Sequence, residues 1–212
     1  MSPFPVMVRR LGRISFDEAD RLQRETARLR QAGQVPDTLF LLEHEAVVTL
    51  GKSANQANLL VNKELLEQRG VAVRQIDRGG DVTFHGPGQV VAYPVVSLRE
   101  RGWGARRYVE ALEQVMIRTA ADFGVTAERR KGLIGIWVQD RKLGAIGVRV
   151  SAGVTRHGLA LNVDLDLSPF SWIVPCGITN AKVTSLSLET GKRIAMALVL
   201  DALESRFLEL FR

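Results

Sequence analysis

The chain has 212 residues, 46% of them hydrophobic and 25% charged, with a formal net charge of +6 at pH 7. That length and apolar share suffice for one sizeable core spanning residues 1–212 and call for no second domain, and near-neutral hydropathy argues against extended disorder and membrane spans alike. The N-terminal run MSPFPVMVRRLGR lacks a long apolar stretch behind a basic start, so it does not read as a secretory signal and a cytoplasmic enzyme is the default expectation.

In chain order, Ser15-Phe16-Asp17-Glu18 has capping-box character, and Ala19, Leu22 and Leu29 recur at helical intervals up to Gly33, predicting a first helix. The stretch before Ser15 is either an added strand or an arm. Leu39 to Glu43 and Val47 to Leu50 read as strands, Asn62 to Arg69 as a short helix capped by Asn62 and stopped by Gly70, and Val71 to Ile76 as a strand. Gln89 to Leu98 is β-rich, with Pro94 pointing to an edge or a bend. Tyr108, Leu112, Val115, Met116, Thr119 and Phe123 trace one helix face ending at Gly124. Ile134 to Val138, Leu143 to Val150 and Thr155 to Val163 read as strands, and a last helix runs from about Lys192 to Phe211. The expected fold class is α/β (α+β), a mixed, largely antiparallel sheet with helices packed on it.

The single cysteine, Cys176, excludes an intrachain disulfide, and His44, His85 and His157 show no metal-ligand spacing, so no metal is expected. The basic excess suits acidic partners. Its scattered arginine pairs lack the aromatic interleaving of a nucleic-acid platform, so no nucleic-acid partner is expected.

The densest local signal is RGGDVTFHGPGQVVAY, Arg78 to Tyr93, which combines glycine pairs with charged and polar side chains and reads as a binding wall. It lacks the lysine-hydroxyl ending of a phosphate loop and the dinucleotide glycine spacing. Arg78 either pairs with a carboxylate or phosphate or holds a turn through backbone carbonyls; His85 is a base, an orienting donor or a satisfied polar residue. Cys176, between Pro175 and Gly177, is either a presented thiol or a buried inert one. A nucleophilic thiol needs a nearby cation or base, for which Lys142, His85, His157 and Lys182 are the candidates. Lys142 alternates with Gly144, Ile146, Val148 and Val150 along one strand face, an apolar setting that calls for a partner, unless it is a solvated turn residue. Glycines 144, 147 and 158 inside strands suggest close approach by a ligand or another chain.

Taken together, RGGDVTFHGPGQVVAYPVVSL, RKLGAIGVRV, RHGLALNV and PCGIT resemble, in that order and over nearly the whole chain, the lipoyl(octanoyl) transferase family, the octanoyl-acyl-carrier-protein:protein N-octanoyltransferases of lipoate synthesis. The resemblance implies the fold of biotin and lipoate protein ligase catalytic domains and an acyl-enzyme mechanism without ATP or other cofactor. It implies Cys176 as nucleophile and Lys142 as the residue lowering its pKa. It further implies an acyl site lined by Arg78, Gly79, Gly80, Asp81, Val82, Thr83, Phe84 and His85, by Ala145, Ile146 and Gly147, and by Gly158, Leu159 and Ala160. The implied donor is octanoyl-acyl carrier protein; the acceptors are lipoyl domains of 2-oxoacid dehydrogenases and the glycine cleavage H protein, with no membrane partner. Rival readings on the residues are an ATP-dependent lipoate or biotin ligase, a non-catalytic acyl or lipoyl-domain binding module, and a cysteine hydrolase.

Overall fold

The computed structural model describes residues 5–174 and 182–211. Its frame is a large sheet in which β1 (Val6–Ile14), β2 (Asp37–His44), β6 (Gln89–Val95), β10 (Val154–Asn162), β9 (Arg141–Ser151), β8 (Leu133–Val138) and β7 (Glu128–Arg130) lie side by side in that order. The stretch before Ser15 is a strand: β1 runs parallel to β2, whereas the other neighbours along this path are antiparallel. A short β11 (Lys182–Val183) adds to β9 in parallel. A second sheet has β3 (Val47–Leu50) between β4 (Ala72–Gln75) and β5 (Val82–His85).

Strand alternation divides the core into layers. Leu39 and Leu41 of β2, Val90 and Ala92 of β6, and Leu159 and Leu161 of β10 face one way, onto α3 (Ala105–Asp122) and α5 (Met196–Phe211). Their neighbours Phe40, Leu42, Val91, Tyr93 and Ala160 face the other way, towards α1 (Phe16–Gln31). A third cluster fills the small sheet, where Val48, Val73, Val82 and Phe84 meet Leu66 of α2 (Lys63–Gln68), Leu165 and Ile173. The helix ends follow the expected chemistry. Ser15 accepts from the Glu18 N–H at 3.2 Å, and Asn62 accepts from the Leu65 N–H at 2.9 Å, each meeting a donor that the first turn leaves unpaired.

Two expectations are corrected. Pro94 lies neither on an edge strand nor in a free bend, because β6 sits between β2 and β10 and Pro94 pairs with Leu39. The strand beside it makes this tolerable: the β6–β10 ladder stops at Ala92 and Leu159, and His157, at φ +57°, turns β10 away. Thr155 Oγ1 then bridges the gap, donating to Pro94 O at 2.7 Å and accepting from the Val96 N–H at 3.0 Å. The last helix starts at Met196, not Lys192, and is preceded by α4 (Leu186–Thr190), which escaped prediction because five residues are too short for a 3.6-residue period to register. Ser185 caps α4 by accepting from the Leu188 N–H, and Gly191, at φ +66°, stops it in a left-handed conformation that costs glycine little.

One buried ion cluster ties the sheet to its surroundings. Asp37, at the start of β2, accepts from Arg30 Nε at 2.7 Å, Arg101 Nη2 at 2.6 Å and the Ser97 N–H at 2.9 Å. With so many donors aimed at one buried carboxylate, its removal takes the buried counter-ion from two guanidinium groups, of which Arg30 keeps its pair with the more exposed Glu100. Asp37→Ala is expected to lower unfolding free energy by ~3–5 kcal/mol in urea titrations, far more than a surface substitution.

Candidate active site

The site lies between the second face of the large sheet, at β9 and β10, and the segment leading into β5. The turn from Arg78 to Gly80 is pinned on both sides: the Gly79 N–H donates to Val148 O of β9 at 2.9 Å, while Arg78 Nη2 donates to Thr49 O at 2.9 Å and Thr49 Oγ1 at 3.0 Å. Arg78 Nη1 also donates to Gly79 O at 3.1 Å. Of the two readings of Arg78, the carbonyl-binding one describes these contacts, and the side chain still lines the pocket.

The glycines in the strands meet their own chain. A Cβ at Gly147 would stand 2.7 Å from Arg78 Cδ and one at Gly158 only 2.2 Å from Ala92 O, so both serve close approach within the chain, and both also line the pocket. The bare Gly147 lets the Arg78 turn, and with it the small sheet, settle onto β9, leaving a trough between them, while Gly158 lets β10 close on β6.

The trough wall from β5 follows strand alternation. Thr83 and His85 face the trough together with Arg78 and Gly80, whereas Val82 and Phe84 point into the apolar cluster of the small sheet. Asp81 also turns away: its carboxylate accepts from the Asn55 N–H at 3.1 Å, the Val82 N–H at 2.8 Å and the Asn58 amide, holding the preceding loop. Gly79 contributes its stitch to β9 and is not part of the lining. From β9 and β10 come Ala145, Ile146, Gly147, Gly158, Leu159 and Ala160; Ile146 and Leu159 belong to the core behind the sheet, so they offer the trough mainly backbone. Ile76, Tyr93 and His157 complete the lining; of these, only Tyr93 falls within the stretch read from the sequence as a binding wall.

Lys142 does not share a face with Gly144, Ile146 and Val148. A register shift between β8 and β9 pairs Ile136 with Gly144 but Trp137 with Lys142, leaving Leu143 as an extra residue. Leu143 drops into the core with Ile146 and Val148, and Lys142 turns to the opposite side. There it lines a small cavity with Thr83, Gln89, Ala145, Asn162, Phe170, Val183 and the backbone of Gly144, whose missing Cβ would point to Met116, adjoining the trough through the shared Thr83 and Ala145. Its Nζ lies 5.3 Å from the Trp137 ring centroid, in cation–π range. Lys182, another candidate activator, is an exposed partner of Asp140 at 2.9 Å. Cys176 lies outside the described residues.

A polarised line of buried amides reaches His85. Thr184 O can only accept, so Asn162 Nδ2 donates to it at 2.9 Å; Gln89 Nε2 donates to Asn162 Oδ1 at 2.8 Å; and Gln89 Oε1 accepts from His85 Nδ1 at 2.7 Å. His85 therefore carries its proton on Nδ1. Gln89 falls within the stretch read as a binding wall, whereas Asn162 was missed, although a polar residue closing the apolar end of VTRHGLALN was a usable signal.

All three histidines are buried around this wall. His44 donates from Nδ1 to Ile14 O and pairs its Nε2 with the Tyr93 hydroxyl at 2.8 Å, while His157 Nε2 meets Asp77 Oδ1 at 2.9 Å. Burial pushes His44 down to about 4 and, with the neighbouring His44 and Arg78 adding to it, His85 down to about 3. Burial also lowers His157, against the opposing pull of Asp77. Asp77 itself is held down at about 2, since hydrogen bonds from His157 and Arg156 outweigh the upward effect of burial. At neutral pH the imidazoles of His44 and His85 are uncharged, which suits an apolar ligand.

Comparison with known proteins follows the same lines. Across 98% of this chain and 85% of the other, the fold superimposes on lipoate-protein ligase A bound with ATP at a TM-score of 0.77, with 16% identity, a likeness of fold alone. In sequence, the lipoyl protein ligase A/B catalytic domain model matches residues 17–208, and the chain belongs to that family. It is 50% identical over 204 residues to an octanoyltransferase of Chloroflexus aggregans, covering 95% of this chain and 92% of that one. A mitochondrial octanoyltransferase of Arabidopsis thaliana is 48% identical over 190 residues, covering 89% of this chain and 81% of its own.

The histidines set an acid limit on the fold. Their folded pKa values lie below the ordinary value near 6.5, so the stability that comes from keeping them neutral is complete above about pH 6.5 and drains away as pH falls towards 4 and then 3. Urea midpoints measured from pH 7 to pH 4 should fall, with a shallower fall in His44→Gln; an identical pH dependence in that variant would contradict the assignment.

Proposed function

We propose that this protein transfers an octanoyl group from octanoyl-acyl carrier protein to a specific lysine of lipoyl domains, through a thioester on Cys176. The acceptors in this reading are the lipoyl domains of 2-oxoacid dehydrogenases and the glycine cleavage H protein, with residues 1–212 acting as one catalytic domain in the cytoplasm. The observation that carries it is identity near one half, over almost the full length, to proteins named octanoyltransferases. The trough supports it: neutral imidazoles, alanines and glycine backbone suit an unbranched hydrocarbon chain, and the adjoining cavity supplies an ammonium or amine from Lys142. Among the described residues no helix is long and apolar enough to cross a membrane.

The chemistry balances without an energy source. The Cys176 thiolate attacks the donor thioester, a C–S bond to Cys176 forms as the C–S bond to the carrier's thiol breaks, and the released thiolate takes up a proton. The acceptor lysine's neutral ε-amine then attacks the acyl carbon, the C–S bond breaks, and one amine proton ends on the cysteine sulfur, leaving an amide and a free thiol. An ordinary thiol with pKa ~8.5 is only a few per cent ionised at neutral pH, and bringing it to ~7 raises the thiolate fraction about fifteenfold. Lys142, as proton acceptor or as ammonium neighbour, has that role here. The net charge of +6 favours encounter with acidic carrier and lipoyl domains.

Incubation with octanoyl-acyl carrier protein, without ATP, should add one octanoyl group to the intact mass, and Cys176→Ala should abolish the adduct; an unmodified wild type would overturn the proposal. Lys142→Ala should fold but slow alkylation of Cys176 at neutral pH by about tenfold. An unchanged rate and pH profile would remove Lys142 from the activating role.

A further inference from the structure

We infer that Glu113, buried in α3 behind the large sheet, is a positioning residue for Lys142 and acts through the backbone of Gly135. The inference rests on the reading of Lys142 as the group that activates the thiol.

Glu113 is an acidic side chain on the buried face of α3, among Leu112, Val115 and Met116, and is only 5% exposed. An unpaired carboxylate there would be costly, so its contacts define its use. One oxygen accepts from the Gly135 N–H at 3.0 Å, and the other accepts from Arg129 Nε at 2.8 Å. Arg129 is in turn held on the helix, donating to Glu110 O at 2.7 Å and to Gln114 Oε1 at 3.2 Å.

Gly135 is the residue whose shape matters to Lys142. Its φ of +112° is accessible essentially to glycine alone, and a Cβ there would stand 2.4 Å from Gly144 O and 3.1 Å from Lys142 Cε. The bare Gly135 backbone is thus one wall of the channel along which the lysine stem runs, and the Trp137 ring, on the residue paired with Lys142, is another. A glycine in an open region of backbone space has little of its own to hold it there. The buried hydrogen bond to Glu113 supplies the restraint from behind, next to the register shift that turns Lys142 towards the cavity. Without the carboxylate, the Gly135 N–H loses its partner, the backbone relaxes, and the ammonium loses its fixed place. Glu113 touches neither acyl group nor nucleophile.

The test compares Glu113→Leu, Glu113→Gln, Arg129→Gln and Lys142→Ala in the full chain, reading the pH profile of alkylation of the single cysteine by iodoacetamide beside unfolding in urea. Glu113→Leu should move the profile towards that of an ordinary thiol, by about half a pKa unit or a threefold fall in rate at neutral pH, and Lys142→Ala should move it further. Glu113→Gln, whose amide oxygen still accepts from Gly135, should restore most of the wild-type profile; a destabilisation without a profile change is what a merely structural role would give. A folded Glu113→Leu with the wild-type profile, beside a shifted Lys142→Ala, overturns the inference and leaves the role of Lys142 intact. A wild-type profile in Lys142→Ala overturns that role and this inference with it. Should Glu113→Leu not fold, Arg129→Gln decides: a smaller shift in the same direction supports the inference, and none overturns it.

Discussion

The site depends on one close approach, that of the Arg78–Gly79 turn to β9. Gly147 presents no Cβ to Arg78 Cδ, Val148 O takes the Gly79 N–H, and the arginine fork spans back to Thr49 on the small sheet. Through these contacts two sheets with separate cores become two walls of one trough. A methyl group at Gly147 would force the walls apart or displace the arginine, and with it the spacing of Thr83 and His85 over Ala145 and Ala160.

Electrostatics then separates the trough from the cavity beside it. The neutral His44 and His85, together with His157, line or support the apolar end, with Asp77 kept ionised by Arg156 and His157 at the margin. The Gln89 and Asn162 amides run from His85 towards Thr184, whose own N–H donates to Lys142 O. The same cavity therefore contains the amine and the amide line that couples β5, β6 and β10 to the strand that follows. In the proposed reaction an acyl chain and a reacting carbonyl have opposite requirements, and this division suits both.

Much of the fold was legible in the chain. Ser15, Asn62, Gly70 and Gly124 mark helix boundaries where the orphan N–H groups or a left-handed turn demand them, and the strands from Ile134 onward follow their apolar runs closely. Errors arose where a neighbour changed the rule. Pro94 is interior because Thr155 and His157 dissolve the ladder beside it; Val82 and Phe84 leave the site because a strand shows each wall only every second residue; Lys142 changes face because of one extra residue at Leu143.

What the sequence by itself determined is the set of chemically able residues and their order: a glycine-rich wall, a lysine on a strand, a lone cysteine, and blocks resembling a single family. Local propensity and side-chain chemistry are written residue by residue, so they survive without a structure. Only the tertiary structure decided which of those residues meet. Face, register and close approach depend on groups far apart in the chain, as when Glu113 restrains Gly135 and Gly147 admits Arg78, and no local pattern carries that information.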